Sequence, residues 1–282
     1  MDVTLLGTGS PIPFPDRAGT SIHVECDGEQ ALIDCGPGAV DRLIENGKPL
    51  SGIDSLFFTH QHLDHNADFF NFVISSWALG RAELTVYGPS GTESLLDAIE
   101  SIYGEDIRYR ERMDYSESGM RDIEFEAVDA TFTLDAGAWT VAAHPVEHSI
   151  ETFAYRFTEP STGADFVFSA DTRYVESLAD FASGTDLLVQ DACVAPRRDG
   201  PPAEGQIWEH FEGSESEQRL AELRRTHCTP EQAGKIASRA GVDELVLTHL
   251  LPYRETEGMR RAAASEFDGD VHVARDGLSF EL

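Results

Sequence analysis

The sequence predicts an α/β chain folded as a four-layer αββα sandwich, two sheets face to face with helices on both outer sides. Two observations predict it. Short apolar runs of strand length alternate with helix-like stretches through both halves of the 282 residues, so each half can build its own sheet and cover it. The residues best suited to chemistry also follow apolar runs, as side chains at strand ends do.

The opening reads as a strand at Val3–Leu6, a Gly/Pro loop from Gly7 to Gly19, and strands Ser21–Cys26 and Ala31–Asp34 about the turn Asp27-Gly28. A helix over Val40–Glu45 and a strand at Ser55–Phe58 lead into a histidine cluster. A helix at Asp68–Leu79, a strand at Leu84–Gly88 and a helix from Thr92 to Tyr103 follow. The second half reads as strands Glu124–Ala127, Thr131–Leu134, Trp139–Pro145, Thr152–Thr158, Asp165–Ser169 and Asp186–Gln190. Helices Thr229–Ala240 and Glu255–Phe267 surround the strand Glu244–Thr248, and a closing hairpin is expected to turn at Asp276-Gly277. The least regular stretch, 196–225, reads as a surface excursion from one domain spanning 1–282. It is either a solvated loop or a lid, and its Trp208 and Phe211 either floor a pocket or simply pack.

Apolar residues make up 41%, enough for a buried core, while the formal net charge is -30 with only two lysines, Lys48 and Lys235. The acids are scattered and not gathered in blocks, which points to a surface adapted to concentrated salt, where ions screen the self-repulsion. The same charge weighs against nucleic acid as a partner in ordinary buffer, although a local arginine patch would still allow it. Cys26, Cys35, Cys193 and Cys228 lack paired-motif spacing and read as reduced thiols. Met1-Asp2-Val3 starts a strand and not a signal peptide, and Phe69–Leu79 is too short to cross a bilayer. A soluble cytoplasmic protein without a membrane partner is expected.

The densest chemistry lies in Thr59-His60-Gln61-His62-Leu63-Asp64-His65, which holds three of the ten histidines. His60 and His62, two apart on an extended loop, can face one ion, and Asp64 and His65 can turn toward a second. His148, Asp171 and His249 each follow a later apolar run and are expected at the same edge of the sandwich. A single such histidine is usually a satisfied core residue. Seven ligand-type side chains, all at strand ends, are poorly explained that way.

The motif His60-Gln61-His62-Leu63-Asp64-His65 resembles the His-x-His-x-Asp-His signature of the metallo-β-lactamase superfamily. Leu5-Leu6-Gly7-Thr8-Gly9-Ser10 and Asp34-Cys35-Gly36 resemble its opening, and Ser169-Ala170-Asp171-Thr172 resembles a Ser-Gly-Asp-Thr element with Ala170 in place of glycine. The branch most resembled, along essentially the whole chain, is that of ribonuclease Z and the zinc-dependent arylsulfatases. The resemblance implies two zinc ions, with Mn2+ and Fe2+ left open. His60, His62 and His148 would hold one, Asp64, His65 and His249 the other, and Asp171 would bridge them. A cysteine ligand typical of true β-lactamases is missing from these motifs. His227-Cys228-Thr229 resembles the His-Ser-Thr element of ribonuclease Z, and Gln190-Asp191-Ala192-Cys193 resembles its His-Glu-Ala-Thr, shortened to aspartate. His227 would then assist the leaving group with Asp191 behind it, since a carboxylate fixes an imidazole's tautomer and raises its basicity. Asp64 would also steer the nucleophile.

The implied reaction is hydrolysis of a phosphodiester or sulfate ester by a hydroxide shared between the ions. The arm with which ribonuclease Z grips tRNA would lie between His148 and Asp171, where this chain has only the turn Glu159-Pro160-Ser161-Thr162-Gly163. The family's Pro-x-Lys-x-Arg-Asn loop survives only as Pro13-Phe14-Pro15-Asp16-Arg17. These departures disfavour RNA and favour a small phosphodiester or sulfate ester. A tRNA 3′-end endonuclease is the first alternative, and a non-hydrolytic metal-binding scaffold is the alternative from another class. Relatives commonly dimerise, so a homodimer is expected.

Overall fold

The computed structural model describes residues 1–195 and 217–282. Among these, one sheet holds β1 (Asp2–Gly7), β2 (Ser21–Cys26), β3 (Glu29–Ile33), β4 (Ile53–Phe57), β5 (Leu84–Gly88), β6 (Ile123–Ala127) and β14 (Leu278–Glu281), in the order β14-β1-β2-β3-β4-β5-β6. The other holds β7 (Thr133–Asp135), β8 (Thr140–Pro145), β9 (Phe153–Thr158), β10 (Asp165–Phe168), β11 (Leu187–Asp191), β12 (Glu244–Thr248) and β13 (Asp270–Val273), in the order β13-β12-β11-β10-β9-β8-β7.

Three apolar layers make the sandwich. Between the sheets, Val3, Ile22, Val24, Ile33 and Phe57 from the first meet Tyr155, Phe157, Phe166, Phe168 and Val189 from the second. The strand period of two then sends alternate residues outward. Leu32, Leu56 and Val86 turn to α1 (Ala39–Glu45), α3 (Phe69–Ala78) and α4 (Glu93–Glu111). On the opposite side Val167, Leu188, Leu245 and Leu247 turn to α5 (Glu176–Phe181), α7 (Pro230–Ala240) and α8 (Thr256–Ala264). The expected αββα order is the observed one.

α7 shows how local sequence places a functional residue. Thr229 caps it, accepting from the Gln232 backbone while the Gln232 side chain answers the Thr229 backbone, with Pro230 in its first turn and Gly241 closing it at φ 66. Ala233, Ile236, Ala237 and Ala240 form its buried stripe. The cap fixes where the chain enters, and His227 lies two residues before it.

Three readings change. The closing hairpin does not form: β13 joins β12 in parallel in one sheet, and β14 joins β1 antiparallel in the other. Asp276-Gly277 is a crossover between sheets, because both edges had open backbone groups to satisfy and each takes one strand. Part of the 196–225 excursion is helical, as α6 (Glu217–Leu223), a run of good helix formers. Residues 196–216, with Trp208 and Phe211, lie outside the described residues. α4 runs on to Glu111, past Gly104, where the polar sequence hides its period.

Asp276 does more than turn the chain. Its Oδ1 accepts from Thr8 N (3.1 Å) and Thr8 Oγ1 (2.8 Å), and its Oδ2 accepts from Ala18 N (2.7 Å) and Arg42 Nε (3.0 Å). Both ends of the Gly/Pro loop therefore hang on one carboxylate. Thr8 C=O in turn holds Leu250 N at 2.9 Å, next to His249. Asp276→Asn puts a donor where an acceptor is needed, and the urea midpoint is expected to fall by the equivalent of roughly 2 kcal/mol with an unchanged slope.

Candidate metal centre

β4 ends below Thr59, and the chain stays extended through His62 (φ -76, ψ 151) before the single turn of α2 (Leu63–Asn66) buries Asp64 and His65. That turn sits against two glycines for want of space. A Cβ on Gly36 would lie 2.0 Å from the Asp64 carbonyl oxygen, and one on Gly19 would lie 2.8 Å from it. His148 follows β8, Asp171 follows β10 and His249 follows β12, so both sheets deliver residues to one edge.

The seven side chains meet. His62 Nδ1 lies 3.0 Å from His60 Nε2 and 3.1 Å from His148 Nε2. Asp171 Oδ2 lies 3.2 Å from His249 Nε2, 3.4 Å from His65 Nε2 and 3.8 Å from each of His60 and His148 Nε2. Two four-residue groups result, His60/His62/His148/Asp171 and Asp64/His65/Asp171/His249, each with ligand atoms within 4.8 Å of one another and with Asp171 in both.

The far ring nitrogens are engaged, which leaves the converging ones as acceptors. His148 donates Nδ1–H to Thr226 C=O at 3.0 Å, and His65 donates Nδ1–H to Asp34 Oδ2 at 2.7 Å. His60 Nδ1 meets Thr59 Oγ1 at 2.9 Å, His62 Nε2 meets Ser149 Oγ at 3.2 Å and His249 Nδ1 meets Thr20 Oγ1 at 3.3 Å. Such partners orient imidazoles toward a metal. Asp34 was legible only as part of a motif. It also holds Thr59 through both carboxylate oxygens at 2.8 Å, and its place at the end of β3 was the signal for a role.

Electrostatics agree with a cation seat. Burial pushes His60 well below the usual histidine range and His249 down to about 3, so both present lone pairs at neutral pH. Burial raises Asp64 to about 6; it would raise Asp171 too, but His249 and His65 hold that carboxyl well below the usual range. Asp64 Oδ2, Asp171 Oδ1 and His65 Nε2 are buried without a hydrogen-bond partner. Unpartnered oxygens and bare nitrogens of this kind are costly unless a cation completes them, and the mixed N/O donor set fits a divalent one.

Beside the cluster, His227 Nδ1 donates to Asp191 Oδ2 at 2.8 Å. Asp191 is held in turn by Thr172 N (3.1 Å) and Cys193 N (2.8 Å). The His227 ring stacks on His249 at 5.2 Å and meets His148 edge-on at 5.0 Å. Burial would lower its pKa, but Asp191 and then Asp171 raise it to about 9. The imidazole is a proton carrier at neutral pH. Cys193, which closes the Gln190–Cys193 motif and was given no role there, also reaches this corner.

Residues 30–250 match the beta-lactamase superfamily domain. Ribonuclease Z of Mycobacterium bovis is 34% identical over 283 residues, 98% of this chain and 96% of that one. Ribonuclease Z of Mycobacterium tuberculosis is 33% identical with the same coverage. Those spans leave room for only short gaps, so neither relative carries a long insertion relative to this chain. Among solved structures, the metallo-beta-lactamase fold protein YhfI from Bacillus subtilis aligns with a TM-score of 0.76 at 22% identity, covering 100% of this chain and 99% of that one. The short form of human tRNase Z aligns at 0.70 and 22%, with the same coverage. No helix among the described residues is long and apolar enough to cross a membrane.

Ala170, just before Asp171, is buried at φ 54, a left-handed conformation that glycine adopts freely. The strain on an L-residue there is about 1–2 kcal/mol, set against roughly 0.4–1 kcal/mol for the freer unfolded chain that glycine brings. Ala170→Gly is expected to raise stability by about 0.5–1 kcal/mol, read as a higher denaturation midpoint.

Proposed function

We propose that this metal-dependent hydrolase, which belongs to the beta-lactamase superfamily and within it to the ribonuclease Z-like branch, cleaves phosphodiester bonds of RNA with two divalent ions, zinc by the N/O donor set. His60, His62 and His148 would hold one ion, Asp64, His65 and His249 the other, and Asp171 both. When bound, the ions supply a nucleophilic water at neutral pH and neutralise charge on the phosphate's free oxygens.

The chain's own residues do the rest. Asp64, with one oxygen unpartnered, orients the attacking water. His227, protonated and braced by Asp191 at 2.8 Å, gives its outer proton to the departing ribose oxygen, and Asp191 stabilises the imidazole through the exchange. Burial of Asp191 and of nearly all of His227 keeps bulk water from competing for that proton. The observation that carries this reading is the His227–Asp191 pair set against the doubly shared Asp171. An alkoxide leaving group needs a proton donor, whereas a stabilised phenolate does not.

The missing arm was expected to disfavour RNA. The mycobacterial relatives named Ribonuclease Z match this chain end to end at similar length, so the short turn after β9 does not set it apart from them. Arg173 adds support on the substrate side. It stands beside the His148 loop, with its backbone on Glu147 C=O at 3.0 Å and its guanidinium 3.0 Å from the Glu147 carboxylate. A neighbouring phosphate can compete for that half-exposed guanidinium. A small phosphodiester or sulfate ester is the second reading, favoured by the net charge of -30, which repels a polyanion at low salt.

Unprocessed tRNA, bis-(p-nitrophenyl) phosphate and p-nitrophenyl sulfate offered side by side in molar KCl separate the readings. Endonucleolytic cleavage of the tRNA is expected. Turnover of either small ester by a preparation that leaves the tRNA intact would establish the second. His227→Ala is expected to lower kcat on RNA by roughly 10²–10⁴ and Asp191→Asn by about 10–100, with little effect on the p-nitrophenyl diester. Arg173→Ala is expected to raise KM for RNA and leave the small diester unchanged.

A further inference from the structure

The mechanism above leaves one buried nucleophile in the active centre unused. Cys193 lies two residues past the end of β11, is 1% exposed, and anchors its backbone N–H on Asp191 Oδ1 at 2.8 Å. Its sulfur and one nitrogen each of His227 and His249 lie within 4.8 Å of one another, all three residues being buried. The Nδ1 atoms of the two histidines are engaged by Asp191 at 2.8 Å and Thr20 at 3.3 Å, so Nε2 is the nitrogen each can offer to a cation, that of His249 lying also 3.2 Å from Asp171 Oδ2. The other three cysteines are placed differently. Cys26 contacts Ala138 C=O at 3.4 Å, Cys228 meets Gln190 at 3.7 Å in the outer layer, and Cys35 is packed beneath α1 and α3.

We propose that Cys193, His227 and His249 form a second kind of metal site, selective for thiophilic divalent cations such as Cd2+, whose occupation shuts the hydrolytic centre. The two seats around Asp171 offer only nitrogen and oxygen, which suit zinc and harder ions, whereas one thiolate and two imidazoles suit a soft ion. Binding breaks the Cys193 S–H bond and removes the Nε2 proton of His227. Both protons pass to solvent, and the freed sulfur and nitrogen pairs form bonds to the cation together with His249 Nε2. No oxidant or reductant is involved. The consequence is double: His249 is drawn away from the seat it shares with Asp64 and His65, and His227 loses the proton it would deliver. Inhibition therefore does not depend on which ester is cleaved.

The test is optical. The zinc-loaded protein is titrated with Cd2+ while the ultraviolet thiolate-to-cadmium charge-transfer absorption is followed without substrate. Cd2+ exchanging into the His/Asp seats produces no such band, because they contain no sulfur. One equivalent of band is expected in the wild-type protein and in Cys228→Ser, with its loss in Cys193→Ser and in the second variant Cys193→Thr. Hydrolysis by the wild type should fall in step with the band and return on adding dithiothreitol, whereas the two Cys193 variants should keep activity at that Cd2+ concentration. A wild-type protein that shows no band overturns the proposal without any variant. A band that persists in Cys193→Ser overturns it as well.

Discussion

The structure is organised around a carboxylate that cannot stand alone. Asp171 is 2% exposed and faces four imidazoles whose nearest nitrogens lie 3.2–3.8 Å from one of its oxygens, while the other oxygen has no partner. Burial keeps His60, His148 and His249 neutral. Of the four only His65, which burial would lower but Asp171 and Asp34 raise well above the usual histidine range, sets a positive charge against it. A buried negative charge among imidazole nitrogens is stabilised by a bound cation, and this requirement accounts for much of the surrounding geometry. Asp34, Thr59, Thr20, Ser149 and Thr226 all hold an imidazole by the nitrogen that faces away from Asp171.

The sandwich is the means of concentrating those groups. Apart from His148, which leaves the antiparallel β8, the strand-end site residues leave parallel parts of the two sheets: β3, β4 and β5 on one side, and β10, β11 and β12 on the other. Parallel strands end together, so Asp34, the His60–His65 run, Asp171, Asp191 and His249 emerge at one edge. The inner layer of aromatic and branched side chains fixes the distance between the two contributions, and Asp276 ties the N-terminal loop to the β12 exit. Stability and chemistry meet at the left-handed residues Asp34, Ala170 and His249 (φ 57, 54 and 60), where the chain bends sharply out of a strand into the site.

Much of this was legible in the sequence because the signals were local. The His60–His65 run carries four ligand-type side chains in close succession, and His148, Asp171 and His249 each announce themselves by following an apolar strand. The His227–Asp191 pair could be read from two separate motifs. What escaped was set by distance in space. An Asp-Gly pair marks a bend well, but it does not say whether the flanking strands pair with each other, and β13 and β14 instead close two different sheets. Asp34 was visible as a motif residue, while its grip on His65 and Thr59 depends on where β4 runs. Cys193 carries no spacing signal, because its imidazole neighbours come from residues 227 and 249. The absent arm discriminates less than its length suggested, because the mycobacterial relatives named Ribonuclease Z match this chain at similar length, and the length of one turn bears on how a large substrate is gripped, not on which bond the centre breaks.

The central claim is that Asp171 serves two ions at once. Anomalous diffraction from the metal-loaded protein, collected on both sides of the zinc absorption edge, tests it most directly. Two peaks about 3.5–4 Å apart are expected, one among His60, His62 and His148, the other among Asp64, His65 and His249, with an Asp171 oxygen reaching each. A single peak, or two peaks that Asp171 does not touch, would contradict the account.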